Sequence, residues 1–185
     1  MSESRLPQHP IGAQLSNLGS RWLLILERTL PNSPKKIWAA LTERELVGRW
    51  APFDPDRDLT ETGFVALPEA GTEHADDETD ESIGTVVTVA TQRMLSLVWG
   101  GDAIDIELAP TASATVVRLS HTFDDRANAS SYAAGWHLCL TALDGVAGGL
   151  DVPRMVGEDA KLHGWDELQE KYDELFGTDP RDARN

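Results

Sequence analysis

Two stretches of strict alternation follow one another in the second half of the sequence. Ile104, Ile106 and Leu108 stand against Asp105 and Glu107, and Val117, Leu119, His121 and Phe123 stand against Arg118, Ser120 and Thr122. A period of two with one polar and one apolar face describes an antiparallel sheet wet on one side. After Asp124-Asp125 the period changes to that of a helix. Tyr132, Trp136, Leu140, Leu143 and Ala147 fall on one stripe that begins near Asn128 and ends at Gly148-Gly149. A sheet with one uncovered apolar face is thus followed at once by a long helix with an apolar stripe.

The rest of the chain fills in around this pair. Further strand signals run from Arg21 to Leu30, Leu59 to Leu67 with an interruption at Gly63, Gly84 to Ala90, and Met94 to Trp99. Between the first two, Ser33 caps a helix with Pro34 at its first position, and Ile37, Trp38 and Leu41 follow at helical spacing. Thr42 with Glu45 reads as a capping box for a second short helix, which runs through Leu46 to about Trp50 before Pro52 and Pro55. The predicted fold class is α+β: a six-stranded curved antiparallel sheet wrapped around a long C-terminal helix, with two short helices after strand 1. A bent sheet around one helix rarely packs solid, so an internal cavity is expected.

The predicted organisation is a loose arm over 1–20, the sheet-and-helix domain over 21–150, and a C-terminal extension over 151–185. Trp165, Leu168, Tyr172, Leu175 and Phe176 give the extension a final amphipathic helix. It should pack on its own domain, with a homodimer through that helix as the alternative. The acidic stretch Glu69 to Glu81 has few groups to bury and is expected to be the most mobile internal segment.

Charge narrows the partners. The 185 residues carry a formal net charge of -15, which repels phosphate backbones and anionic headgroups. Neither nucleic acid nor a membrane is expected as a partner. Cys139 is the one cysteine, so neither an intramolecular disulfide nor a thiolate zinc cluster can form. The first 20 residues do not read as a signal peptide, and the longest apolar run, Trp22 to Leu26, is too short to span a bilayer. A reducing cytoplasm is the expected location.

Ser33-Pro34-x-x-x-Trp38-Ala39-Ala40-Leu41-Thr42, followed by Glu45-Leu46 and Trp50, resembles the opening of the SRPBCC, or START-like, superfamily. The resemblance continues through Gly63-Phe64, Gly84-Thr85-Val86, Leu97-Val98-Trp99 and Gly135-Trp136-His137-Leu138-Cys139-Leu140-x-x-Leu143. Within the superfamily the chain is similar to the branch homologous to the activator of the ninety-kilodalton heat-shock protein's ATPase, as a bacterial stand-alone member. Trp165-x-x-Leu168-x-x-x-Tyr172 resembles a bacterial subgroup of that branch. The resemblance implies a helix-grip fold with a cavity. Relatives bind lipids, sterols, polyketides or plant hormones, and some are cyclases or aromatases.

Few residues invite chemistry. Trp38, Trp50, Trp99 and Trp136 are either core or an aromatic cavity lining. Gly135 fits a close approach of the long helix to the sheet. His121 lies on the apolar face of its strand, as a ligand hydrogen-bond partner, a general base or a satisfied core histidine; no carboxylate partner is near it in sequence. His137 is placed at the helix flank, and Cys139 reads as a small, half-buried hydrophobe. Asp54, Asp56 and Asp58 lack the glycine and glutamate of a calcium loop, their positions being held by Leu59 and Val65, and the acidic run beyond Glu69 reads as solvated. No metal, cofactor or catalytic set is assigned. The expected function is binding of a small hydrophobic or amphipathic molecule. The expected cavity walls are Trp50, Phe64, Trp99, Ile106, Leu119, His121, Trp136 and Leu140. A cyclase- or hydrolase-type enzyme acting through His121, and a chaperone-related interaction module, are the alternatives. A buried histidine–carboxylate pair in the cavity would favour the enzyme.

Overall fold

The structure, a computed structural model, describes residues 12–71 and 83–177. In chain order its elements are β1 (Ala13–Asn17), β2 (Trp22–Leu30), α1 (Pro34–Thr42), α2 (Arg44–Val47), β3 (Gly63–Ala66), β4 (Ile83–Ala90), β5 (Met94–Trp99), β6 (Asp102–Pro110), β7 (Thr115–Phe123), α3 (Ala129–Ala147), α4 (Asp159–Leu162) and α5 (Trp165–Phe176). The strands form one antiparallel sheet in the order β1-β2-β7-β6-β5-β4-β3. The fold is α+β with a curved sheet and one long helix, as the change of period predicts.

Among the described residues the strand count is seven rather than six. The additional strand, β1, lies inside the stretch read as a loose arm and pairs Ala13 with Leu26 through Asn17 with Trp22. Its side chains are at most half-buried, which is typical of an edge strand and leaves only a faint sequence signal. β2 pairs along its whole length with β7, so the first long strand sits beside the last. A register shift between Val86 and Thr88 marks a bulge between β4 and β5, a common source of sheet bending. Gly84 is needed for space, since a Cβ there would fall 2.4 Å from Leu67 Cδ1 and 2.9 Å from the Val98 carbonyl oxygen.

Ser33 caps α1 as expected, accepting from the Lys36 amide. Thr42 does not cap α2. Its hydroxyl donates back to the Trp38 carbonyl at 2.8 Å, and the residue is buried at the end of α1. The α2 N-terminus is served from outside by Asp58, which accepts from the Arg44 amide at 2.8 Å. Asp56 accepts from the Ala66 amide at 3.0 Å, and Asp54 pairs with Arg154 at 2.8 Å. The three spaced aspartates therefore tie loops to their neighbours.

α3 runs for 19 residues and is buried on most sides, because β2, α1 and α5 all pack against it. The residues after α3 share its core. Met155, Ala160, Leu168 and Tyr172 belong to the same buried cluster as Leu24, Ile106 and Leu140. Two arginines hold this extension in place. Arg154 donates to the Ala51 and Phe53 carbonyls, and Arg126 donates to the Phe176 and Gly177 carbonyls at the α5 C-terminus. α5 lays Leu168 and Tyr172 on α3. No described helix is long and apolar enough to cross a membrane. The acidic stretch expected to be mobile lies, from residue 72 onward, outside the described residues.

Candidate functional site

The alternation of β7 turns His121 toward α3, where it is 2 % exposed. Trp136 on α3 donates its indole N–H to His121 Nδ1 at 3.0 Å. An indole can only donate, so Nδ1 carries no proton and the neutral ring holds its hydrogen on Nε2. Nε2 lies 2.9 Å from Asp102 Oδ2 and donates to it. Asp102 Oδ1 in turn accepts from Arg21 at 3.1 Å, and Arg21 also reaches Asp124 at 2.7 Å and the Thr122 carbonyl at 3.1 Å. A polar chain thus runs from the surface at Arg21 through Asp102 and His121 to Trp136. Within this chain both nitrogens of the histidine are committed.

Beside this chain lies a cleft of about 770 Å³. The sheet side contributes Trp99, Gly100, Asp102 and His121, with Pro52 and Glu69 at the loops. α3 contributes Ser131, Tyr132, Gly135, Trp136 and Cys139. The third wall is the extension, through Met155, Val156, Gly157, Ala160, Lys161 and Trp165. The aromatic rings are fixed by their neighbours. Tyr132 lies 4.6 Å from His121 and 5.1 Å from Phe123, centroid to centroid. Trp99 meets Phe53 edge-on at 5.1 Å and donates its indole N–H to the Leu67 carbonyl at 2.9 Å.

Two titrating groups on the α3 wall are held neutral. Burial raises the Tyr132 phenol above its ordinary value, and the negative charges of Asp102 and Asp125 add to this against a hydrogen bond with Asn128. Burial also pushes the Cys139 thiol up to about 12, only partly offset by Arg154. Such a thiol is a poor nucleophile. Among the described residues no group of three or more His, Cys, Asp or Glu side chains could hold a metal ion.

Of the eight residues expected as cavity walls, Trp99, His121 and Trp136 border this cleft. Trp50 does not: it is 1 % exposed and donates its indole N–H to the Ala40 carbonyl at 2.8 Å, so it closes the packing behind α1. Phe64 is 81 % exposed on the edge strand β3, because the period of two sends Val65 inward and Phe64 outward. Ile106, Leu119 and Leu140 are buried in the joint core of sheet and α3, where side chains fill the space. Gly135 also departs from expectation. A Cβ there would meet no heavy atom within 4 Å, so the residue faces the cleft rather than a close helix–sheet contact.

The residues that sequence reasoning passed over are Asp102, Tyr132 as a wall, and the extension. Extending the β6 alternation back by two from Ile104 places Asp102 on the apolar face, and β6 pairs Ile104 with His121. That signal was available. No local pattern announces which surface the extension crosses.

The profile of the family described as Activator of Hsp90 ATPase homolog 1-like protein matches residues 31–148. Among curated proteins none matches the chain. Solved structures share the fold. The conserved protein EF2215 of unknown function from Enterococcus faecalis aligns with a TM-score of 0.68 at 18 % identity, covering 89 % of this chain and 90 % of its own. CalU16 from Micromonospora echinospora gives 0.63 at 18 % identity, covering 89 % and 95 %. SSP2350 from Staphylococcus saprophyticus gives 0.59 at 16 % identity, covering 72 % and 98 %.

Proposed function

We propose that this chain, which belongs to the family described as Activator of Hsp90 ATPase homolog 1-like protein, holds a small uncharged or weakly polar molecule in the cleft between its sheet, α3 and the extension. The observation that carries this reading is the lining: Trp99, Tyr132, Trp136 and Trp165 surround a space whose most buried polar side chain, His121, already has both ring nitrogens engaged. Apolar burial against such walls contributes about 25 cal/mol per Å² removed from water. An anionic ligand would give up hydration beside Asp102 and approach through the field of a chain with net charge -15. Besides His121, the ionisable and hydroxyl side chains on the lining are Glu69, Asp102, Ser131, Tyr132, which also bonds Asn128, and Lys161, which also pairs with Glu158 at 3.3 Å. A cytoplasmic location is part of the same proposal, in keeping with a free, buried Cys139.

The His121–Asp102 pair is the observation that favours a second reading, a cyclase- or hydrolase-type enzyme on the same cleft. A carboxylate-oriented imidazole is a familiar acid–base unit. To act so, His121 must exchange the Trp136 indole for a substrate proton. A chaperone-related interaction module would use the acidic surface and the last helix, but α5 lays Leu168 and Tyr172 on α3.

Native mass spectrometry of gently purified protein tests the binding reading directly, with a retained neutral molecule as the expected result. Titration with uncharged apolar dyes should saturate, and Trp99→Ala should weaken it. His121→Ala should alter which dyes bind more than how tightly. If no molecule is retained and no dye binds, the cleft is not a binding site.

A further inference from the structure

Gly135 has no structural reason to be glycine. It sits inside α3, where glycine weakens a helix roughly fivefold in equilibrium terms relative to alanine. Every other described glycine either adopts a positive φ or has a heavy atom within 4 Å of the position a Cβ would take. Gly135 alone among them has ordinary helical geometry and open space. That space is the cleft, and Tyr132 and Trp136 stand on either side of it along the helix. A local rule broken without a packing cause is the signature of a site shaped for something else.

We propose that Gly135 is a specificity-determining residue of the cleft. By carrying no side chain it lets the bulk of an apolar ligand lie directly on the α3 backbone between Tyr132 and Trp136. The inference rests on the binding reading above and adds to it the place where ligand meets helix. A ligand seated there gains contact with both aromatic neighbours, and its thickness is set by the gap between α3 and the extension wall at Val156 and Ala160.

The test compares wild type with Gly135→Ala and Gly135→Leu, using the uncharged dye N-phenylnaphthylamine and denaturant unfolding on the same samples. The alanine variant should unfold at higher denaturant, its folding equilibrium favoured roughly fivefold. Its dye affinity should nevertheless fall, and the leucine variant should lose about tenfold or more, the scale of an overpacked contact. Rising stability with falling affinity is a pairing that a merely structural glycine cannot produce. If both variants bind the dye as wild type does, the Gly135 proposal is overturned while the cleft reading stands. A less stable Gly135→Ala also overturns it, by showing a packing role. If wild type itself binds no dye, the binding reading fails and this inference goes with it.

Discussion

Two buried histidines meet α3 in two different surroundings. His121 reaches it from the sheet and bonds Trp136, and the space alongside is open. His137 sits on α3 itself, 1 % exposed, with Nδ1 2.9 Å from the Tyr172 hydroxyl, and the space alongside is filled by α5. Tyr172 is fully buried there and stacks on Phe176 with ring centroids 5.7 Å apart. The same helix therefore has a closed flank, where a polar pair is sealed under a packed helix, and an open flank, where a polar chain borders a cleft. A buried histidine with a satisfied ring is common to both. What separates a structural site from a candidate functional one here is the unfilled volume next to it.

The largest expected effect comes from removing the element that closes one flank and walls the other. A chain ended after Gly157 loses the burial of Leu168 and Tyr172, at about 1.5–3 kcal/mol each, and should be strongly destabilised in denaturant unfolding. It should also lose dye binding, since Ala160, Lys161 and Trp165 go with it. A stable truncated monomer derived from a dimeric parent would instead make α5 an oligomerisation element.

Next in size is Trp136→Ala. The side chain is 4 % exposed and holds His121 Nδ1, so both packing and a buried hydrogen bond are lost. The expected cost is about 3–5 kcal/mol. An unchanged unfolding midpoint would contradict the placement of α3 against the sheet.

Tyr172→Phe probes the closed flank alone. Removing one hydroxyl from His137 should cost about 1 kcal/mol. Dye affinity should stay as in wild type, because neither residue borders the cleft. A loss of binding in this variant would mean that the two flanks communicate.

The smallest effect is a pH dependence on the open flank. The Tyr132 phenol is raised in the folded state, so its contribution is fully present below about pH 10 and is lost as pH rises through the folded value. Cys139 acts in the same direction from about pH 9 toward about 12. Tyr132→Phe should therefore lose stability less steeply above about pH 10 than wild type, as read from unfolding midpoints across an alkaline series. Identical slopes would remove Tyr132 from the groups that burial holds neutral.

How far the site could be read in advance depends on the range of the signal. His121 and Trp136 were legible because the period of two and the stripe at 3.6 each assign a face locally. Phe64 was misplaced although the same rule applied, since Val65 and Leu67 already claimed the inner face of that stretch. Trp50 was misplaced for another reason: an aromatic in a short helix looks alike whether it borders a cavity or fills a gap behind α1. β1 was missed because an edge strand with half-buried residues has almost no pattern to show.

Periodicity in the chain was enough by itself to establish the strand faces, the long helix, its apolar stripe and the order that makes a curved sheet close over that helix. These follow from contacts between each residue and its near neighbours in sequence. The tertiary structure alone decided that Asp58 would cap a helix 14 residues before it, that Asp102 would orient His121, and that α5 would seal one flank of α3 while α4 and its approaches walled the other. Those outcomes depend on where distant segments come to rest, and on the volume left between them. A cleft is space that no side chain occupies, so its position is a property of the assembled packing and of no single stretch of sequence.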